Sequence, residues 1–216
     1  RVVKRLREEI ISLGGEVRFL TRAADLIVQD GAVTAVKTGH PERGEEMIPA
    51  RAVVLAVGHS ARDTFQTLFE KGISMEAKAF AVGLRIQHPQ KQINLSQYGM
   101  EDPGTLGAAP YKVTRQTSNG RGVYSFCMCP GGYVVNASSE PGRLAVNGMS
   151  NHAREGINAN SALIVTVTPE DFPEMTAMGG ITFQRRLEEA AYRAGAGRIP
   201  VQMYGDFKAG EISRQI

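Results

Sequence analysis

The spacing of apolar positions changes along the chain, and each change predicts an element. From Val2 to Leu13, the residues Val3, Leu6, Ile10 and Leu13 recur at helical spacing while Lys4, Arg5 and Glu8 fall elsewhere. That pattern predicts an amphipathic helix, ended by Gly14-Gly15. Val17–Leu20 reads as a short strand. Leu26–Asp30 and Ala32–Lys37 read as a hairpin turned at Asp30-Gly31, followed by a polar turn over 39–49. In the run ARAVVLAVGHS, Ala50 to Ser60, the solid apolar segment Ala52–Val57 reads as a buried strand that stops at Gly58-His59-Ser60. Ser60 followed three residues later by Asp63 predicts a capped helix start, with the helix reaching Glu70 and closed by Gly72.

The character shifts near residues 72–78, the expected domain boundary. From about Ala77 the pattern is that of mixed, mostly antiparallel β-structure. Phe80–Gln87 alternates apolar and polar residues with Pro89 as a stop, and Gln92–Tyr98 suits a short helix. Residues 99–120 are rich in Gly, Pro, Ser and Thr and read as loop. Val123–Met128, Tyr133–Ala137, Arg143–Val146 and Ala162–Thr168 are expected strands. Ile181–Arg193 is an expected helix with Phe183, Leu187, Ala190 and Ala191 inward, Arg185, Arg186 and Glu188 outward, and Gly195 and Gly197 at its end. Val201–Ile216 is a short polar tail.

Composition narrows the class. The 216 residues are 42% hydrophobic and 22% charged, enough apolar material for a core and ordinary for a globular protein. The net charge of +3 is spread thinly, and 6% aromatics with no basic stripe argue against nucleic acid as partner. No apolar run reaches membrane-spanning length, and RVVKRLREEI, with Glu8 and Glu9, is no signal peptide. Two cysteines do not make a disulfide scaffold, so a cytoplasmic location is expected. The chain begins without Met, which fits a piece of a longer protein.

Three stretches could carry chemistry. At Gly58-His59-Ser60, glycine permits close backbone approach, and amides at a helix start favour an anion such as a pyrophosphate. A tight turn capped by Ser60 is the simpler reading. Cys127-Met128-Cys129-Pro130-Gly131-Gly132 sits between two strands. Its C-x-C pair could be a redox dithiol, although closing so small a ring is strained; small buried residues before a glycine turn are the alternative. Gly131 and Gly132 suit a loop that lets a flat ligand pass close to the backbone. The third stretch, Asn147-Gly148-Met149-Ser150 and on through Asn158-Ala159-Asn160-Ser161, is dense in amides and hydroxyls. Such groups can orient a heterocycle or a carboxylate, though composition alone favours a solvated loop. The four histidines, 40, 59, 88 and 152, are scattered, so no metal site is expected.

The order of helix, short strand, hairpin, then strand into Gly58 resembles the second half of the FAD-binding domain of two-dinucleotide-fold flavoproteins. The first half of such a domain carries G-x-G-x-x-G, a spacing absent from these residues. The segments VVLAVGHSARDTF, KAFAVGLRIQHP, GRGVYSFCMCPGGYVVNASS, VNGMSNHAREGINANSALIVTVTPEDF and FQRRLEEAAYRAG resemble a family of uncharacterised bacterial FAD-dependent dehydrogenases across essentially the whole chain. The resemblance implies a mixed α/β and α+β fold: a partial Rossmann-like FAD-binding segment over 1–75, an inserted mostly antiparallel β domain with helices over 76–205, and a tail over 206–216 returning toward the FAD-binding domain. It implies FAD in the longer parent, not in this piece alone, and an oxidoreductase acting on a small molecule, with NAD(P)H a candidate electron donor. On that reading Gly58, His59, Ser60, Gly131, Gly132, Gly148 and Ser150 are candidate cofactor contacts, and Cys127, Cys129 and Asn147 are weak catalytic candidates. A thiol-redox enzyme and an RNA- or protein-recognising module are the alternatives, and unpaired sheet edges make self-association a further expectation.

Overall fold

Asp30 (φ 50°) and Gly31 (φ 77°) both take positive φ, the geometry that lets two strands turn on two residues. The hairpin they close pairs strand β1 (Arg22–Gln29) with strand β2 (Ala32–His40). In the computed structural model, which describes residues 1–214, the packing divides the chain into two compact units, Arg1–Ile73 and Ser74–Ile216. Gln215 and Ile216, at the end of the expected tail 206–216, lie outside the described residues.

In the first unit, helix α1 (Val2–Ser12) precedes the hairpin, and the segment expected to be a polar turn supplies a third strand, β3 (Gly44–Pro49), on the free edge of β2. The turn is therefore shorter than its polar composition suggested, because Glu45 and Glu46 sit on an edge strand where charged side chains remain solvated. Helix α2 (Arg62–Glu70) follows, and its Leu68 is buried, as is Leu26 of β1. Two strand expectations fail here. Val17–Leu20 is not a strand: Leu20 turns to φ 54° and the Thr21 hydroxyl donates to the Phe19 carbonyl, so local hydrogen bonds win. Ala52–Val57 is also irregular, with Val54 91% exposed. A strand apolar on both faces needs paired edges and covered faces, and no described residue pairs with it.

In the second unit, strands β4 (Phe80–Pro89), β5 (Thr114–Gln116), β6 (Gly122–Cys129) and β9 (Asn158–Val167) form an antiparallel sheet in the order β4-β9-β6-β5. Pro89 ends β4, and helix α3 (Gln90–Tyr98) starts immediately after it. Strands β7 (Gly132–Asn136) and β8 (Val146–Ser150) make a separate two-stranded ribbon. Helices α4 (Gly179–Ala194) and α5 (Tyr204–Ala209) follow, the latter inside the expected polar tail. Every pairing among the described residues is antiparallel. The fold is thus a mixed α/β arrangement built on antiparallel sheets.

The alternation of β4 sorts its side chains between two faces. One face carries Phe80, whose ring stacks on Phe172 at 5.3 Å and meets Phe183 of α4 edge-on at 6.1 Å. Buried Val167, Phe172 and Met178 belong to the same core. The opposite face carries Arg85 and, through the register Gln87↔Asn160, the side chain of Asn160. Three boundaries depart from expectation. The segment 143–145 is not strand, because Arg143 is drawn to Glu140 and Glu189 and Leu144 is buried with its N–H on the Glu188 carbonyl. Along α4, Arg185 pairs with Glu140, and Leu187, expected inward, is 46% exposed. Residues 158–161, expected as solvated loop, are instead the first half of β9, with Asn160 and Ser161 fully buried.

Candidate functional site

The C-x-C segment is a bulge. Strand β6 follows β9 up to Phe126↔Ala162, loses register, and resumes at Cys129↔Asn160. Cys127 takes φ 46°, a conformation a non-glycine residue keeps only when its surroundings impose it. Here the Cys127 carbonyl accepts from the Arg85 guanidinium Nη2 at 2.5 Å and from the Cys129 thiol at 3.3 Å. Both cysteines are free, Cys127 exposed and Cys129 half-buried.

Beyond the bulge the chain reverses at Gly131 (φ 51°), where a Cβ would come 1.9 Å from the Arg154 carbonyl oxygen, so only glycine fits. At Gly132 a Cβ would sit 2.5 Å from the Met149 carbonyl oxygen. The space beside both glycines is filled by the chain's own backbone. The turn is anchored by Gln90, a buried side chain that accepts from the Gly131 N–H at 2.8 Å and donates to Asn94 and the Ala109 carbonyl. The Ser150 hydroxyl donates to the Pro130 carbonyl at 2.7 Å, which ties the ribbon to the same turn.

The ribbon and the bulge meet at Arg85. Its Nε donates to Asn160 Oδ1 at 2.7 Å, its Nη1 to Asn147 Oδ1 at 3.2 Å, and its Nη2 to the Cys127 carbonyl and toward Cys129 Sγ at 3.6 Å. Gly148 lies directly above: a Cβ there would be 2.3 Å from both Arg85 Nη2 and Asn160 Oδ1. Every acceptor on this guanidinium is neutral, and among the described residues it has no carboxylate partner. Asn160 is fully buried, and its Nδ2 has no hydrogen-bond partner. The result is a polar cluster, the Arg85 cup, in which Asn160 lies buried beneath the guanidinium, Gly148 packs over both, and exposed Asn147 and Cys127 stand at the edge.

On the other face of the sheet the His88 and Tyr111 rings lie 5.4 Å apart. Burial lowers the pKa of the His88 imidazole, whose Nε2 is buried and unpartnered. Burial raises that of the Tyr111 phenol, against the opposing pull of its Ser161 hydrogen bond and the Arg85 charge.

The structure therefore brings Cys127, Cys129, Gly131, Gly132, Asn147, Gly148 and Ser150 to one end of the second unit. Gly58 (φ 70°), His59 and Ser60 lie in the first unit. The Ser60 hydroxyl sits 3.3 Å from His59 Nε2 and does not cap α2, whose N-cap residue is Ala61 with no side-chain hydrogen bond. Sequence reasoning missed Arg85 and Gln90, and it singled out the stretch that holds Asn160 but favoured a solvated loop there. The available signal was an arginine on an alternating strand and amides clustered just before an apolar one.

Residues 79–216 match the family described as FAD-dependent protein, C-terminal domain-like. The chain belongs to that family. It is also 48% identical over 219 residues to an "Uncharacterized protein" of Clostridium beijerinckii (strain ATCC 51743 / NCIMB 8052), covering 100% of this chain. The chain spans 40% of the length of that relative. No helix among the described residues is long and apolar enough to cross a membrane.

Proposed function

We propose that this chain is a section of a FAD-dependent oxidoreductase acting on a small molecule, with a substrate-binding site in the second unit. The observation that carries the reading is the Arg85 cup, a half-buried guanidinium held by neutral groups alone, in a chain of a FAD-dependent family. The first unit fits the cofactor's phosphates. At Gly58 nothing stands within 4 Å of the position a Cβ would take, so the backbone is open to a ligand. Helix α2 begins just beyond, and its first amides carry no side-chain cap. In the first unit, Gly58, His59 and Ser60 would hold the pyrophosphate. When bound, FAD supplies the redox chemistry; the protein's share is to hold substrate and exclude water. NAD(P)H is the candidate electron donor. The test is flavin content of the full-length protein. Gly58→Val should abolish flavin retention, and unchanged content would reject the assignment of this turn.

A second reading is favoured by one contact, Cys129 Sγ against the Arg85 guanidinium at 3.6 Å. That contact fixes the Cys129 sulfur on the bulge that also carries Cys127, the pair of free thiols that thiol-redox chemistry would use. Thiol titration with and without prior reduction separates the readings, since an inert pair yields two free thiols both ways.

A further inference from the structure

We propose that the Arg85 cup binds a small carboxylate, the anionic end of the substrate. The word substrate rests on the flavoenzyme reading above; the anion site itself stands on the geometry. A guanidinium has five N–H donors. In Arg85 four are engaged, by Asn160, Asn147, the Cys127 carbonyl and Cys129, which leaves one on Nη1, the nitrogen beside exposed Asn147. A half-buried cation among neutral acceptors is an uncompensated charge, and such charges are ordinarily paired.

Two features argue against a strut that merely staples the bulge to the ribbon. A structural polar network is normally fully satisfied, yet the buried Asn160 keeps an unpartnered Nδ2. The edge is also open, since Asn147 and Cys127 are exposed while Gly148 closes only the ribbon side. Asn147 Oδ1 accepts from Arg85 Nη1 and from the Gly148 N–H, which leaves its Nδ2 amide to donate, so a ligand would meet one guanidinium N–H and one amide. That donor set matches a planar monoanion. A phosphate dianion would need more donors than the cup offers, so a carboxylate is the fitting class.

The chain's two cysteines, Cys127 and Cys129, both lie at the cup and report on its occupancy. The experiment measures their alkylation rate by iodoacetamide in the 216-residue chain against rising sodium acetate. Sodium chloride and inorganic phosphate at matched ionic strength serve as controls. Acetate should slow alkylation saturably, several-fold at saturation, and chloride and phosphate should not. Asn147→Ala, an exposed change that leaves the fold intact, should weaken acetate about tenfold. Arg85→Gln should abolish protection. Equal rates with and without acetate would overturn the proposal. So would equal protection by phosphate, or acetate affinity unchanged in Asn147→Ala. Should Arg85→Gln fail to fold, Asn147→Ala decides alone. Flavin content in Gly58→Val of the full-length protein is a separate readout, so the carboxylate site and the flavoenzyme reading can fail independently.

Discussion

The two units bury their side chains in opposite ways. The first has a small apolar interior around Leu26 and Leu68, and it leaves Val3 81%, Leu13 79% and Val54 91% exposed. Its order rests on a three-stranded meander held by ladder hydrogen bonds and turn geometry. The second has an aromatic core of Phe80, Phe172 and Phe183 on one face of its sheet, buries Asn160 beside Arg85 on the other, and buries the amides Gln90 and Asn94 on α3. Burying amides costs free energy unless each finds a partner. A unit with a firm apolar face can carry such a cluster in fixed geometry; a sparsely packed meander cannot. The candidate substrate site therefore lies in the second unit.

Removing the aromatic core should cost the second unit most. Phe172→Ala should cost the second unit about 3–5 kcal/mol in urea denaturation, the usual penalty for a buried phenylalanine. A cost below about 1 kcal/mol would mean the core is not where the stability resides. Next comes the polar frame. Gln90→Leu strands the Gly131 N–H and the Ala109 carbonyl and removes one of the donors to Asn94, and should cost about 2–3 kcal/mol.

A smaller effect lies at the sheet's far end. The Arg121 guanidinium and the Thr168 N–H hold the Asp171 carboxyl down at about 2, from 3.8. A carboxylate lowered in the folded state contributes stability that is fully present above about pH 4 and lost as pH falls toward 2. Wild type should lose stability more steeply than Asp171→Asn across that window, and parallel acid titrations would remove the pair from the account. The smallest effect belongs to the first unit. Leu6, 60% exposed on α1, should tolerate Leu6→Ser within about 0.5 kcal/mol. A larger loss, measured the same way, would show that the α1 stripe is packed in solution.

Most elements were legible because local chemistry fixed them. Asp30-Gly31 named its hairpin, Pro89 ended its strand, and the stripe Val3-Leu6-Ile10-Leu13 marked α1. What failed depended on distant partners. Ala52–Val57 has strand composition, but a strand exists only with a neighbour. Arg143 left its expected strand for carboxylates on and near α4. Asn158–Ser161 looked like loop because amides usually face water; Arg85, 75 residues away, partners the buried Asn160, and the Ser161 hydroxyl is buried on the Phe126 carbonyl. The cysteines, Asn147 and the glycines of the site were visible in sequence. The residue that joins them was not, since one arginine on an alternating strand looks like any solvated position.

The most direct test of the account is the visible absorption spectrum of the full-length Clostridium beijerinckii relative, purified and folded. Bound flavin bands are the predicted result. A folded protein without flavin, and unable to take it up from added FAD, would contradict the claim that this chain is part of a flavoenzyme.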